Sequence, residues 1–424
     1  MLDTHDTNLQ VVTHEVILGE LIAPLPRVSV QAFCETADVA SVLNDAISDR
    51  RMDKAHVKVH MGGAYAAVEA YRSAPTPNVI ILETGADRDQ LLANLDALSE
   101  FCDHGTKVVV IGNVNDIGLY RLLKEKGVSE YLVTPFNVID FIRALSGLFN
   151  ATSTEPLGRM IAVVGAKGGI GASTVAHNLA WSIAASQEIV TVLADMDVAF
   201  GTAGLNFNQD PPQGIADAVF APDRLDANLL DRLLSKCSEK LSMLAAPAML
   251  DQVCDFKETA FDGIFDILRS TVPCIVADVP HNWTSWARRA LISAEEIVIV
   301  ATPDLANLRN TKNLIDTLRT ARPHDTKPRL VMNLVGMPKR PEISVADFAK
   351  SLDLEPTITL AFDPKLFGTA ANNGQMLAEI DGGAKVAESF NHLARIVTGR
   401  SELKKQKRSI FEPLVARLSR KKAS

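Results

Sequence analysis

The segment Ile161 to Ala180, IAVVGAKGGIGASTVAHNLA, constrains this chain more than any other stretch. An apolar run of strand character leads into a glycine-rich loop, and the loop opens into a helix. In that helix Val175, Leu179 and Ile183 recur every four positions, with Ala176, Ala180 and Ala184 beside them, so one face must pack on a sheet. Strand, glycine loop and helix start, in that order, are what a nucleotide phosphate site requires. Gly168, Gly169 and Gly171 let backbone N–H groups approach phosphate oxygens without a Cβ in the way, and the helix beginning near Ser173 directs its positive end at them. Ser173 is placed to ligate Mg2+ through its hydroxyl. The strict phosphate-loop pattern puts a lysine immediately before that Ser or Thr; here the residue is Ala172, which leaves Lys167 as the loop's cation. The alternative is a plain glycine turn that binds nothing.

The rest of the chain is patterned to supply the sheet such a loop needs. Its 424 residues suit two to three domains at about 150 residues each. With 47% hydrophobic and 22% charged residues, it is too apolar to be disordered throughout. Residues 1–26 show no sustained period and end in Pro24 and Pro26, which reads as a mobile arm. From 27 to 150, apolar runs at Val28–Phe33, Val57–His60, Val79–Leu82, Val108–Ile111 and Tyr131–Val133 alternate with amphipathic stretches, and this predicts a parallel sheet of about five strands covered by helices. Residues 151–158, ATSTEPLG, suit a linker. Over 159–399 a second α/β series follows, with strands expected at Met160–Val164, Val190–Ala194, Leu241–Ala245, Ile275–Ala277, Ile297–Ala301, Leu330–Met332 and Thr357–Ala361. Nearly continuous apolar runs of this kind belong to parallel strands covered on both faces.

The lysine at the head of the loop resembles the signature lysine of the deviant Walker A group, the ParA/MinD ATPases, whose pattern is K-G-G-x-G-K-[ST]. In that family the first lysine reaches across a nucleotide-sandwich dimer to the partner's phosphates. The resemblance thus keeps the lysine tied to dimerisation, while Ala172 removes the one that serves the subunit's own nucleotide. The loop from Lys167 through Gly168, Gly169, Ile170, Gly171, Ala172, Ser173 and Thr174 becomes the expected nucleotide site. Asp195 and Asp197 end the next strand where the family carries D-x-D, and the second acid, Asp197, would position the attacking water; such a pair could also merely cap a neighbouring helix. Asp278, in CIVADVP, matches the Walker B acid that holds Mg2+ through water, or else forms a turn before Pro280. Asn333 sits where the family has an adenine-contacting Asn, and Pro303 and Asp304 occupy its T-P-D turn, though these could equally be ordinary loop residues.

Residues 27–150 resemble a response-regulator receiver through PNVIILE and SEYLVTPF. Every chemical position of a working receiver has departed. The first strand leads into Phe33, Cys34 and Glu35, the phosphoacceptor position holds Glu83, strand four is followed by Gly112 and Asn113, and Thr134 stands where the lysine belongs. The expectation is a pseudo-receiver used for protein contact, or an unrelated flavodoxin-like domain equally unable to transfer phosphate. The fold class expected overall is α/β, a flavodoxin-like domain joined to a doubly wound, mostly parallel nucleotide-binding domain.

A pseudo-receiver joined to a deviant ATPase domain resembles the CpaE/TadZ family of pilus-assembly proteins, which serve Flp-type, tight-adherence pili. The stretches that carry the resemblance include GAKGGIGASTVAHNLAW, DMDVAFGTAGLNFNQDPPQGIADAV, DVPHNWTSWARRAL and FDPKLFGTAANNGQMLAE. It implies a cytoplasmic protein that binds ATP and Mg2+, forms an ATP-dependent homodimer, settles at a cell pole near the inner membrane and recruits the pilus secretion machinery, with weak hydrolysis at most. A non-hydrolysing scaffold of the same assembly is a second expectation, and a DNA-partition or septum-site ATPase a third.

The formal net charge of −8 gives no whole-body attraction to nucleic acid, and none is expected as a partner. The charge is uneven, however: residues 400–424 carry nine basic and two acidic side chains. There Lys404, Lys405, Lys407, Arg408, Arg417, Arg420, Lys421 and Lys422 surround Ile410, Phe411, Leu414, Val415 and Leu418, an apolar stripe on a helix. Such a basic amphipathic tail can lie on an anionic membrane or stay solvated, and 404–422 is the expected contact. Five scattered cysteines without a C-x-x-C pair indicate neither a disulfide framework nor a zinc site, and no leader or membrane-spanning run is seen. His281 lacks a companion at metal-ligand spacing, and Trp283 and Trp286 are either core or placed at a nucleotide edge or dimer contact.

Overall fold

The first apolar runs form one sheet because each is short, β-branched and followed by an amphipathic helix that must return over it. The computed structural model describes residues 22–85, 88–150, 157–246, 250 and 254–400. Strands β1 (Val28–Cys34), β2 (Ala55–Met61), β3 (Val79–Glu83), β4 (Lys107–Gly112) and β5 (Glu130–Val133) are all parallel, in the order β2-β1-β3-β4-β5. This is the flavodoxin-like arrangement, with its switch point between β1 and β3. Helices α1 (Ala37–Ile47) and α5 (Val138–Asn150) cover one face through Leu43, Phe141, Ile142 and Leu145. The other face takes α2 (Gly63–Tyr71), α3 (Arg88–Ser99) and α4 (Ile117–Glu125), which bury Tyr71, Leu91, Leu98 and Leu123.

Of the arm expected over 1–26, residues 1–21 lie outside the described residues, but 22–26 pack on this unit. Leu25 is 1% exposed, its N–H donates to Arg51 O at 2.8 Å, and Ser146 Oγ donates to Ala23 O at 2.8 Å. Two prolines deny a regular element without denying burial, which is why this stretch reads as loose in sequence.

The second sheet has eight strands, ordered β13-β12-β11-β6-β10-β7-β9-β8. They are β6 (Arg159–Gly165), β7 (Thr191–Asp195), β8 (Ser235–Lys236), β9 (Leu241–Leu244), β10 (Cys274–Val279), β11 (Glu296–Ala301), β12 (Arg329–Val335) and β13 (Pro356–Ala361). All pairings are parallel except that of β8, a two-residue edge strand too short to leave a period in the sequence. Helix α6 (Ala172–Ser186) follows β6 and buries Val175, Ala176, Leu179, Ala180, Ile183 and Ala184 together with Phe390 and Leu393 of the helix Lys385–Val397. The opposite face is covered by the helices Asp262–Thr271, Ser285–Ser293, Leu305–Ala321 and Val345–Leu352. β6 lies between β10 and β11, so the switch point of this sheet falls at the glycine loop.

The two units meet through buried charge. Arg50 donates through Nε to Asp325 Oδ2 at 2.7 Å and through an Nη to Ser293 O at 3.2 Å, while Arg51 pairs with Asp49 at 2.9 Å and with Asp325. Arg322 reaches Asp325 at 2.7 Å, and Arg269 reaches Glu295 at 2.8 Å. None of these seven side chains is more than 9% exposed.

Candidate functional site

The glycine loop is held by its carbonyls. His281 donates from Nδ1 to Gly165 O at 2.8 Å, Asn310 Nδ2 to Ala166 O at 2.9 Å, and Asn333 Nδ2 to Ile170 O at 2.8 Å. Three different elements thereby fix the acceptor side of the loop. Its donor side is uncommitted: among the described residues, no hydrogen bond uses the backbone N–H of Lys167, Gly168, Gly169, Ile170 or Gly171. Consecutive free N–H groups at the start of a long helix form a cradle for an anion. Gly169 (φ +75°) and Gly171 (φ +82°) occupy left-handed backbone, and a Cβ on Gly171 would lie 2.7 Å from Asn333 Nδ2. Lys167 is exposed, Ala172 opens α6 with no charge, and the hydroxyls of Ser173 and Thr174 bond to no described group.

The acids stand beside this loop on neighbouring strands. Asp195 at the end of β7 is the register partner of Asp278 in β10, so the two side chains share a face. Asp278 is 5% exposed, yet its carboxylate accepts no hydrogen bond from the described residues. His177 Nε2 lies 3.3 Å from its Oδ2. An almost buried carboxylate with unused lone pairs, on the strand paired with the one that leads into the loop and its uncommitted serine hydroxyl, is a hard-oxygen set that fits Mg2+ held in part through water. Asp195 is spent otherwise: it closes the turn that follows β7, accepting from Asp197 N and Ala203 N at 3.1 Å each. Burial and then the Asp278 carboxylate push the Asp195 carboxyl well above its ordinary range, with His177 opposing. Asp197 accepts from Phe200 N at 3.1 Å through one oxygen, and burial pushes its carboxyl up as well. Both members of the D-x-D pair thus brace the turn after β7, Asp197 through the backbone N–H groups of Phe200 and Ala199.

Several residues singled out in sequence fall in places the sequence left open. Asn333 is 2% exposed, lies under the loop and also accepts from Leu334 N at 2.9 Å, so the hydrogen bonds of its amide go to the phosphate loop and its own strand end. Asp304 caps the helix Leu305–Ala321, accepting from Asn307 N at 2.9 Å. Burial opposes, but that bond, the Thr302 hydroxyl, the Asn307 amide and the Lys167 charge hold the Asp304 carboxyl below its ordinary range. Trp286 is buried against Phe261, with ring centroids 4.9 Å apart, whereas Trp283 is 53% exposed beside His281. His177 and Asn310 were missed. The available signal was a histidine one helical turn after Ser173, inside an otherwise apolar face.

In the first unit, Glu83 at the end of β3 is 6% exposed and satisfied internally. It accepts from Glu35 N at 2.7 Å, Thr36 N at 3.0 Å and Thr36 Oγ1 at 2.6 Å, bracing the start of α1. Thr134, at the position a receiver gives to lysine, lines the same cavity of about 400 Å3. No described helix is long and apolar enough to cross a membrane. Residues 404–422 lie outside the described residues.

A family model described as an AAA domain matches residues 158–332. The pilus assembly protein CpaE from Caulobacter crescentus is 44% identical over 98% of its solved chain and 30% of this one, in the N-terminal part; the TM-score is 0.29, and the likeness rests on sequence. The septum site-determining protein MinD of Helicobacter pylori is 25% identical over 254 residues, covering 57% of this chain and 90% of that protein. MinD from Pyrococcus horikoshii, solved with Mg-ADP, shares the fold: TM-score 0.51, 21% identity, 57% of this chain and 96% of that one.

Proposed function

This chain belongs to the ParA/MinD-like CpaE family, and from that premise we propose that it is a pilus-assembly protein that binds ATP with Mg2+, dimerises with nucleotide bound and recruits the secretion machinery of the pilus. The observation that carries the nucleotide reading is the run of N–H groups from Lys167 to Gly171, uncommitted among the described residues, beside a carboxylate, Asp278, that accepts no hydrogen bond from them. The loop and the first turn of α6 would cradle the β- and γ-phosphates. Ser173, and Asp278 through water, would hold Mg2+, which when bound neutralises phosphate charge. Lys167, exposed at the rim, is free to reach a partner's phosphates, and Asp197 would place water for a slow hydrolysis. Polar positioning, and attachment to an anionic membrane through 404–422, belong to the same proposal.

Light scattering with and without ATP and Mg2+ tests occupancy and association together: the mass should double with both present. Calorimetry that records no heat at millimolar ATP would sink the reading. Ala172 favours a second version, a scaffold that holds nucleotide without cleaving it. Steady-state phosphate release from the wild type and from Asp197→Ala separates the two, since equal rates leave only the scaffold.

A further inference from the structure

Behind the magnesium edge of the pocket lies a histidine that the proposed chemistry does not use. His177 follows Ser173 by four residues on α6, so both project from one helix face, and it is 0% exposed. Asn206, on the short helix Ala203–Asn206 after the D-x-D turn, places its amide Nδ2 2.9 Å from His177 Nδ1. An amide nitrogen donates, so Nδ1 accepts and the ring proton is left on Nε2. Nε2 has no hydrogen-bond partner among the described residues, and the charged group it faces is the Asp278 carboxylate, whose Oδ2 is 3.3 Å away. Phe207 closes the side of the ring at 5.9 Å.

A core filler is a poor description of this residue. Burying an imidazole costs desolvation that a leucine of similar volume would not incur, unless its N–H groups are used. Asp278, for its part, sits in register with Asp195 and is repelled by it. The His177 Nε2–H edge is the positive group that faces this repelled carboxylate. We propose that His177 is a positioning residue: its Nε2–H edge, aimed by Asn206, faces Asp278 Oδ2 at 3.3 Å outside hydrogen-bond geometry, steadies that oxygen by charge–dipole attraction and leaves Oδ1 for the water shell of Mg2+. The inference rests on the ATP and Mg2+ reading of the pocket and adds to it a link between the metal-holding acid and the turn that carries Asp197.

The test is a MgCl2 titration of the full chain with a fluorescent N-methylanthraniloyl ATP, recorded for the wild type, His177→Leu, His177→Gln and Asn206→Ala. Loss of an outer-shell partner that orients a metal-holding group typically costs tenfold or more in metal affinity. His177→Leu should therefore raise the Mg2+ midpoint by about tenfold, while its melting temperature and its Mg2+-free nucleotide binding stay at wild-type values. A purely structural role would move those two instead. His177→Gln, which keeps an N–H, should recover part of the shift, and Asn206→Ala should shift the midpoint in the same direction by less. If His177→Leu does not fold, Asn206→Ala carries the test. Midpoints within twofold of the wild type in the folded variants overturn the role of His177. A wild type whose nucleotide binding ignores Mg2+ overturns the reading of the pocket, and this role with it.

Discussion

Asp325→Ala should loosen the N-terminal flavodoxin-like unit from the second α/β unit, and the size of the effect follows from what Asp325 holds. Its carboxylate receives Arg50 Nε and Arg322 Nε, each at 2.7 Å, as well as Arg51, and its side chain is 7% exposed. Removing it leaves four buried guanidiniums, Arg269 among them, sharing Asp49 and Glu295, and breaking a buried pair in this way costs about 3–5 kcal/mol. With a urea m-value of about 3 kcal/mol per M, the midpoint should fall by roughly 1–1.7 M. Trp286 lines the cleft between the units together with Arg50 and Arg51, so its fluorescence reports the event directly. The pH dependence gives an independent check. Burial opposes, but the Arg50 and Arg322 charges hold the Asp325 carboxyl well below its ordinary range. A carboxyl depressed in the folded state adds stability above its unfolded pKa of about 3.9, and that contribution is lost as pH falls below it. The wild type should therefore lose a stability increment on acidification below about pH 4 that Asp325→Ala never had. A midpoint lowered by less than about 0.2 M at neutral pH would refute the reasoning, because charges that cheap to remove are solvated.

Gly171→Ala places a Cβ 2.7 Å from Asn333 Nδ2 on backbone at φ +82°, so the loop must shift; calorimetry should show ATP binding weakened at least tenfold, and unchanged affinity would mean the loop does not hold phosphate. Ala172→Lys restores the missing cation, and a charge-assisted contact of roughly 1.5–3 kcal/mol should tighten ATP at least tenfold in the same assay; no gain would show that the pocket lacks more than a charge. A chain ending at Gly399 should pellet less with vesicles rich in anionic lipid than the full chain, since each basic residue near such a surface contributes about 1 kcal/mol, and equal pelleting removes the membrane role.

What the sequence disclosed was whatever a local pattern can carry. The runs that became β3, β6, β7, β10 and β11 were legible because a strand buried on both faces has few polar residues to interrupt it, whereas the edge strands β2 and β13 alternate and showed only as short apolar stretches. The packing face of α6 was legible from its four-residue spacing. The interface between the units was not, because Arg50 and Asp325 are 275 residues apart and a charged residue reads the same whether solvated or buried in a network. Trp283 and Trp286 show the same limit over three positions: one is 53% exposed and the other packs on Phe261, which no composition rule separates. Asn333 was singled out through the family resemblance, but what it does here from within β12, holding Ile170 O, depends on the loop lying above it.

The vacancy at Ala172 becomes intelligible when the pocket is weighed by charge. Backbone N–H groups and the start of α6 offer a nucleotide only partial positive charge, about half an elementary unit from the helix end, against several negative charges on a triphosphate. On the proposed reading, the balance comes from Mg2+ and from Lys167 of a second copy, so a nucleotide is held well only where two chains meet. Linkage makes that statement reciprocal: whatever factor the lysine adds to nucleotide affinity in the dimer, nucleotide must add to dimer affinity. A lysine contact of about 1.5–3 kcal/mol corresponds to roughly 10- to 150-fold in each direction. A lysine at position 172 would strengthen binding in the isolated chain as well as in the dimer, and an isolated chain already saturated with nucleotide no longer distinguishes association by occupancy. Omitting that cation thus weakens the pocket in the one state where, on the proposed reading of association as the output, tight binding carries no information.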